Sequence, residues 1–285
     1  MAGLDDRPEM SAVEFRLLKE LLLDWCGLLL REDLKYVAER RLWPRLEALG
    51  LDDFNAYYRY LKLDARGKDE MEQAIELLVP HETYFFREPA QLESFTQELL
   101  PRLHARNLNT RRLRFWSAGC ASGEEPYTLS MLLDECKLFD GWDVQLMGTD
   151  ISRRVLTQAR QAEFGATSLR ATDPSQIAKY FDQSPTGRVR VKQHLRDRVS
   201  FGHLNLLDEQ AAALLPQMDV IFCRNVLIYL EPKARSKVVT LFHQKLVPGG
   251  YLLLGHSESL LTLTTQFELV QLSGDLVYQR PDVRK

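Results

Sequence analysis

Residues 116–127 read Trp-Ser-Ala-Gly-Cys-Ala-Ser-Gly-Glu-Glu-Pro-Tyr, and this stretch decides the fold. The apolar run that ends near Trp116 predicts a strand, and the small residues after it predict a tight turn. Glu124 and Glu125 then open a helix that has Pro126 in its first turn. Small residues let the backbone approach a ligand closely, and a helix start offers free N–H groups. The stretch therefore predicts a ligand-binding crossover of an α/β sheet.

The two glutamates at the helix start indicate the kind of ligand. A helix start that binds pyrophosphate does not normally present two carboxylates to it. A carboxylate suits a cationic amine instead, such as the amino group of a methionine moiety. The competing interpretation is that the glutamates only cap the helix, where acidic side chains are favourable. A NAD-dependent oxidoreductase would need a Gly-x-Gly-x-x-Gly turn, which Gly119 and Gly123 do not form.

Strand and helix patterns alternate through most of the chain after Pro80, which predicts βαβ units and a parallel sheet. Residues 164–204 interrupt the alternation, and their short apolar runs predict a small antiparallel insert. The expected fold is thus an α/β domain with this insert. Beyond the strand at 113–117, strands are predicted at 144–148, 218–223 and 251–255, helices at 126–138, 152–163 and 232–246, and insert positions at Val189, Val191, Leu195, Val199 and Phe201.

The first eighty residues predict helices only. Ser11 and Gly27 bound the first helix as its caps. The second helix, at about 32–48, contains Pro44, which is expected to kink or split it because proline lacks the N–H of the helix ladder. The predicted domains are therefore an all-α domain at 1–80 and an α/β domain at 81–285, with the insert at about 164–204.

Composition and charge exclude several classes of protein. The formal net charge of −3 argues against a general nucleic-acid coat. The longest apolar run near the N-terminus, residues 21–30, is interrupted by Asp24, so no membrane insertion is expected. Asp5, Asp6 and Arg7 precede this run in place of a basic cluster, which argues against a signal peptide.

Four cysteines, none at Cys-x-x-Cys spacing, predict reduced thiols and neither a disulfide framework nor a metal site. Together with the missing signal peptide, this predicts a cytoplasmic protein. The cysteines are Cys26, Cys120, Cys136 and Cys223.

Polar side chains follow two of the predicted strands, where such sheets bind ligands. Asp150 can accept hydrogen bonds from ribose hydroxyls, or it can cap the helix that begins near Ser152. Arg224, Asn225 and Tyr229 follow the strand at 218–223. Nucleic-acid amino-methyltransferases usually carry an acidic residue or Asn followed by Pro-Pro-aromatic at this point, and that tetrapeptide is absent.

With these strings the chain resembles the CheR family of chemotaxis receptor methyltransferases over nearly its whole length. The resemblance implies a helical N-terminal domain before a Rossmann-like S-adenosylmethionine-dependent methyltransferase domain with a β insert. It also implies methyl transfer to receptor glutamates, with S-adenosylhomocysteine as product and no metal. The strings are Leu-Gly-Leu at 49–51, His-Glu-Thr-Tyr-Phe-Phe-Arg-Glu at 81–88, residues 116–127, Gly-Thr-Asp at 148–150, Asn-Leu at 205–206, residues 222–229 and Gly-His-Ser-Glu-Ser at 255–259.

The resemblance also implies roles for individual residues. Arg87 and Tyr229 are expected to orient the reacting groups. His81 stands where some members have an asparagine that contributes to the site, and it is left out of the predicted set. The residues expected to contact the cofactor are Thr83, Arg87, Glu125, Asp150, Asn205, Leu206, Arg224 and Asn225.

The expected partner is the cytoplasmic helical bundle of a methyl-accepting chemoreceptor. Arg41 and Arg45 on the second helix are candidates for receptor binding, although such charges usually form only a solvated polar face.

Some relatives bind a receptor C-terminal peptide with the insert. The loop at 182–188 is a few residues shorter than in those relatives. We therefore expect that the enzyme does not depend on binding a receptor C-terminal peptide as a tether. The alternative function is a catalytically silent adapter that binds the receptor or the cofactor.

Overall fold

The computed structural model of the protein describes residues 8–282, so the acidic stretch at 5–7 lies outside the described part. Tertiary contacts divide the chain into two compact units. One unit comprises Met1–Pro80 with Tyr229–Arg235, and the other comprises His81–Ile228 with Ser236–Lys285. Within residues 8–282, no helix is long and apolar enough to cross a membrane.

The first unit is helical, as the sequence predicts. Its first helix has a capping box in which Ser11 and Glu14 bond each other's backbone N–H groups, and it ends at Gly27 with φ 72°. Asp53 caps the third helix by accepting from the Ala56 N–H at 2.7 Å. The helices are α1 (Ala12–Cys26), a 3-10 turn (Glu32–Leu34), α2 (Lys35–Leu49), α3 (Phe54–Leu63) and α4 (Gly67–Leu78).

Pro44 lies inside α2, which runs unbroken from Lys35 to Leu49. The expectation that this proline splits the helix is therefore wrong. Pro44 and Arg40, four residues earlier, are both exposed. The carbonyl group that lacks an amide donor thus lies on the solvent side, where water can satisfy it.

A late segment of the chain completes the helical unit. Leu28 and Leu230 form an isolated antiparallel bridge. The Leu29 N–H donates to the Tyr229 carbonyl, and the Glu231 N–H donates to the Gly27 carbonyl, each at 2.9 Å. The backbone that carries Tyr229 is therefore paired with the residues that follow α1.

The second unit is built on a seven-stranded sheet in the order β6-β2-β1-β7-β8-β10-β9. The first five strands of this order are parallel, and β10 and β9 add two antiparallel strands at one edge. The strands are β1 (Arg112–Ala118), β2 (Asp143–Asp150), β3 (Glu163–Phe164), β4 (Phe181–Gln183), β5 (Val189–Val191), β6 (Val199–His203), β7 (Met218–Cys223), β8 (Leu246–Leu254), β9 (Glu268–Gln271) and β10 (Leu276–Gln279).

Helices connect these strands. The α7 and α8 crossovers follow β1 and β2 directly, as the alternating pattern predicts. The helices are α5 (Pro89–Ser94), a π-helical segment (Phe95–Leu99), α6 (Leu100–Asn107), α7 (Glu124–Cys136), α8 (Arg153–Gln161), α9 (Pro174–Tyr180), α10 (Gln193–Arg196), α11 (Glu209–Ala213), a 3-10 turn (Leu227–Tyr229) and α12 (Pro232–Lys245).

The middle one of the five parallel strands is β1, which pairs with β2 on one side and with β7 on the other. Trp116 is opposite Met147 in β2 and Ile221 in β7. The chain leaves β1 toward β2 and later returns to β7, so β1 marks the point at which the strand order reverses. The carboxyl ends of these three strands are adjacent, and a ligand crevice is expected there.

The insert is a separate three-stranded antiparallel sheet in the order β3-β5-β4. The Phe85 ring packs edge-on against Phe164 in β3 and Phe181 in β4, with centroid distances of 4.8 and 5.0 Å. The assignment of Val199 and Phe201 to this insert is wrong, because both lie in β6 of the main sheet, parallel to β2. An alternating strand pattern does not identify the sheet that the strand joins.

Candidate functional site

The turn after β1 is bonded to the backbone of β2 and lies against a side chain that follows β7. The N–H groups of Gly119 and Cys120 donate to the Thr149 carbonyl at 2.8 and 2.9 Å. Gly119 has φ 78°, and a Cβ on it would lie 2.4 Å from Val226 Cγ2. Glycine is therefore required here both by the backbone conformation and by the close approach of the chain after β7.

Asp150, at the carboxyl end of β2, is a buried carboxylate that is only 8% exposed. Its Oδ1 accepts from the Ser152 N–H and its Oδ2 from the Ala121 N–H, each at 2.9 Å. The N-cap of α8 is Ser152, so Asp150 is not the helix cap. Each oxygen has a lone pair beyond these bonds, so the carboxylate can accept two more donors.

The pKa of the Asp150 carboxyl is raised by burial. The N–H groups of Ser152 and Ala121 oppose this change, and the electrostatic effect of His81 does so too. The anion is thus held by fixed donors in a poorly solvated place, which favours a ligand that supplies further donors.

Asn205 and Leu206 follow β6, the strand next to β2. The Leu204 N–H donates to the Asp150 carbonyl at 3.0 Å. The Asn205 side chain accepts from the Leu207 N–H at 3.0 Å and so shapes the turn. The structure therefore brings these two predicted residues next to Asp150.

Arg224, directly after β7, is the centre of a buried ionic network, with a side chain that is 4% exposed. It donates to Glu125 at 3.1 Å, to Glu88 at 2.9 Å and to the Arg87 carbonyl at 2.6 Å. Burial alone would lower the pKa of Arg224, but the charges of Glu125 and Glu88 outweigh it and raise the pKa. Glu125 accepts from Ser117 Oγ at 2.7 Å in addition to Arg224, so its charge is already compensated by the Arg224 guanidinium.

The segment that carries Arg87 has an unusual backbone. Phe86 and Glu88, on either side of it, have φ 56° and 59°. Such conformations cost free energy in residues with side chains, and they persist when the surroundings impose them. Here Arg224 holds both the Arg87 carbonyl and the Glu88 carboxylate. Thr83 lies half-buried in the same segment.

The Arg87 guanidinium is half-buried and is not part of the Arg224 network. It donates to the Glu82 carbonyl at 3.1 Å and lies over the Tyr84 ring, 5.6 Å from the centroid. These two contacts leave other N–H groups of the guanidinium available, so Arg87 can donate hydrogen bonds to an anionic group.

Asn225 has a left-handed backbone, with φ 60°. Its Oδ1 is buried and has no hydrogen-bond partner within residues 8–282. A Cβ on Gly255 would lie 2.9 Å from Asn225 Nδ2, so glycine leaves the room that the amide occupies. A buried acceptor without a donor is rare in native proteins and indicates a ligand with an N–H or O–H group.

The remaining predicted residues lie in the helical unit. Tyr229 is half-buried at the end of a 3-10 turn, and its carbonyl accepts from Leu29. Arg45 donates twice to the buried Glu70, so its charge is compensated there. Arg41 is exposed and donates to the Leu77 carbonyl at 3.1 Å.

Three acidic residues shape the site through contacts that the sequence does not predict: Glu88 and Glu258 had no predicted role, and Glu124 was expected to face a ligand amine together with Glu125. Glu88 binds Arg224, and Glu124 accepts from Ser122 Oγ and Ser168 Oγ, each at 2.8 Å. Glu258 accepts from backbone N–H groups of the turn after β7 and from the Gly255 N–H. The string Gly-His-Ser-Glu-Ser at 255–259 contains Glu258 and is the sequence signal that points to it. Within the described residues, no group of three or more His, Cys, Asp or Glu side chains is placed to hold a metal ion.

Two family models match the chain. The "CheR methyltransferase, SAM binding domain" matches residues 81–275, and the "CheR methyltransferase, all-alpha domain" matches residues 13–79. Chemotaxis protein methyltransferase 1 of Pseudomonas aeruginosa is 36% identical over 277 residues, which cover 95% of this chain and 99% of the relative. Chemotaxis protein methyltransferase 2 of Vibrio cholerae is 35% identical over 256 residues, which cover 90% and 88%.

Proposed function

The chain belongs to the CheR methyltransferase family, and on that premise we propose that it transfers a methyl group to glutamate side chains of chemoreceptors. The chain is an S-adenosylmethionine-dependent methyltransferase. The receptor glutamates are the proposed acceptors because the relatives at more than 30% identity are named chemotaxis protein methyltransferases.

The residues at the carboxyl ends of β1, β2 and β7 fit S-adenosylmethionine. The observation that carries this proposal is the buried Asp150 carboxylate, whose two backbone donors leave acceptor capacity for two ribose hydroxyls. The unpaired Asn225 Oδ1 supplies a further acceptor for an N–H group of the cofactor. The proposed contact set is Thr83, Arg87, Glu125, Asp150, Asn205, Leu206, Arg224 and Asn225.

When bound, the cofactor supplies a methyl group on a sulfonium, a good leaving group. A glutamate has a reference pKa of about 4.3 and is an anion at neutral pH, so no general base is required. The chain then has to orient the anion and exclude water. We assign Arg87 to hold the glutamate carboxylate and the Tyr229 hydroxyl to fix one of its oxygens.

Arg41 is the proposed receptor contact on α2. It is exposed, and Arg40, Tyr36 and Val37 are exposed on the same helix. A basic surface of this kind is complementary to an acidic helical bundle, which favours association at low salt. Arg45, proposed with it from the sequence, is compensated by Glu70 and contributes little charge to such a surface.

The proposed reaction does not need a receptor C-terminal peptide. The loop between β4 and β5 is closed by bonds from Ser184 N–H to the Arg188 carbonyl at 2.9 Å and from Gly187 N–H to the Ser184 carbonyl at 3.1 Å. The edge strands of the insert, β3 and β4, have two and three residues. Such short edges offer few hydrogen bonds to an added peptide strand.

We place the reaction in the cytoplasm, with residues 1–80 as the receptor-binding domain and 81–285 as the methyltransferase domain. The four cysteines are free thiols, as a reducing compartment requires.

Incubation with labelled S-adenosylmethionine and receptor-containing membranes tests the proposed methyl transfer to receptors. Label on the receptor that is lost at high pH is expected, because esters hydrolyse whereas N-methyl groups survive. Absence of label, or label stable to base, would contradict the proposal.

A further inference from the structure

The Glu258 carboxylate accepts hydrogen bonds from four backbone N–H groups. Oε2 accepts from Asn225 at 2.7 Å and from Gly255 at 2.9 Å. Oε1 accepts from Val226 at 3.0 Å and from Ile228 at 3.2 Å. One side chain after β8 therefore holds the turn after β7 by three of its amides.

The turn at 225–228 connects several parts of the site. It begins with Asn225, whose left-handed backbone exposes three nearby N–H groups to one acceptor. Val226 lies against Gly119 in the turn after β1, and the Asn225 amide lies against Gly255. A shift of this turn would move the unpaired Asn225 Oδ1 and the residue that directly precedes Tyr229.

Only an ionised carboxylate matches this set of donors. It offers acceptors on both oxygens and no donor, and its bonds to N–H groups are charge-assisted. Burial raises the pKa of Glu258, and the surrounding backbone N–H groups oppose the change. Glutamine has the same shape, but its NH₂ group would face two N–H donors in place of one oxygen.

We propose that Glu258 is a positioning residue for the methyltransferase reaction, which fixes the turn at 225–228 and so places the Asn225 side chain for cofactor binding. Glu258 touches neither cofactor nor substrate in this role and acts through Asn225. The proposal rests on the cofactor-binding role proposed for Asn225.

Calorimetric titration of the full chain with S-adenosylhomocysteine tests the role. Glu258→Gln is expected to weaken binding by about 10-fold or more, since two charge-assisted bonds are replaced by opposed donors. Glu258→Asp retains the carboxylate and is expected to fall between wild type and Glu258→Gln. The control is Glu268→Gln, an exposed glutamate on β9, which should bind like wild type.

A second background separates positioning from general destabilisation. Asn225→Gly keeps the left-handed backbone but removes the side chain that Glu258 is proposed to place. In this background, Glu258→Gln is expected to change the affinity by less than about threefold, because coupled residues are not additive. A full loss in both backgrounds would overturn the proposal.

Hydrogen exchange gives a readout that needs no ligand. The amides of residues 225, 226 and 228 should exchange slowly in wild type and faster in Glu258→Gln or Glu258→Asp, while amides of β7 stay unchanged. Unchanged exchange or wild-type affinity in Glu258→Gln would overturn the proposal. If wild type itself does not bind S-adenosylhomocysteine, the proposed cofactor role fails, and exchange still decides whether Glu258 fixes the turn.

Discussion

The guanidinium of Arg45 donates two hydrogen bonds to the carboxylate of Glu70, at 2.8 Å from Nε and 2.5 Å from Nη2. The Tyr57 hydroxyl donates to the same carboxylate at 2.8 Å. Glu70 is 5% exposed and Arg45 28% exposed in their side chains. One buried carboxylate thus joins α2, α3 and α4.

Removal of the Arg45 guanidinium should destabilise the helical unit. Arg45→Ala leaves the buried charge of Glu70 with Tyr57 as its remaining side-chain partner, at a cost of roughly 2–4 kcal/mol in the free energy of unfolding. Urea denaturation measures the loss. Arg41→Ala, on the exposed side of the same helix, is the matched control and should cost less than about 1 kcal/mol. Equal losses in the two variants would show that the ion pair is not stabilising.

Charge reversal at Arg41 should weaken the receptor interaction. Arg41→Glu is expected to raise the KM for receptor several-fold at low salt and less at high salt, because exposed charges are screened. The affinity for S-adenosylhomocysteine should stay the same. Arg59→Glu, at another exposed arginine on α3, is the control for the change in net charge. Receptor kinetics identical to wild type at low ionic strength would exclude Arg41 from the interface.

Asp150 should make cofactor affinity depend on pH. Because burial raises its pKa, the carboxyl takes up a proton at higher pH than a free aspartate, whose pKa is about 3.9. The ionised form is the better acceptor for ribose hydroxyls, so affinity is complete above the raised pKa and falls as pH decreases through it. Calorimetry over a pH series measures this change.

The matched variant is Asp150→Asn, which removes the ionisable group but keeps its shape. It should bind S-adenosylhomocysteine about 10-fold or more weakly at neutral pH, since a charged acceptor is lost. Its affinity should show less acid dependence than that of wild type. An unchanged acid profile in Asp150→Asn would assign the titration to another group.

Tyr229 should affect turnover and not cofactor binding. Tyr229→Phe removes only the hydroxyl, so the affinity for S-adenosylhomocysteine should remain within about twofold of wild type. The kcat should fall, because the hydroxyl is proposed to act on the substrate carboxylate in the transition state. Steady-state kinetics and calorimetry on the same preparation separate the two effects. A loss of affinity with unchanged kcat would contradict the assigned role.

Peptides from receptor C-termini should not bind the insert. The closed loop at 184–188 and the short edge strands leave little room for an added strand. Calorimetry should show no heat at millimolar peptide. Micromolar affinity would refute the expectation and identify the insert as a tethering site.

Local signals account for the parts of the fold that the sequence predicts well. Ser11 and Gly27 bound α1 because caps act within a few residues. The strand at 218–223 is predicted with its observed bounds, since all six residues are buried, as in the centre of a parallel sheet.

Long-range contacts explain what the sequence does not predict. Val199 and Phe201 alternate with polar residues, and only pairing with β2 places them in the main sheet. The partner of Arg45 is 25 residues away in the sequence, so its ion pair could not be read from helix spacing. Glu258 acts 30 to 33 residues from the amides of the turn at 225–228, and its neighbours in sequence reveal none of those contacts.

The antiparallel bridge between Leu28 and Leu230 has a consequence for the order of events during translation. The helices before Pro80 leave the ribosome about 150 residues earlier than Tyr229–Arg235, which complete their unit. Residues 27–29 precede their backbone partners by about 200 residues, so at roughly 5–20 residues per second they wait on the order of 10–40 s. Throughout that interval the nascent chain presents unpaired amide and carbonyl groups after α1, and a chaperone or the ribosome surface has access to them. The helical unit therefore begins early in the chain and is complete only after residues 229–235 have been made.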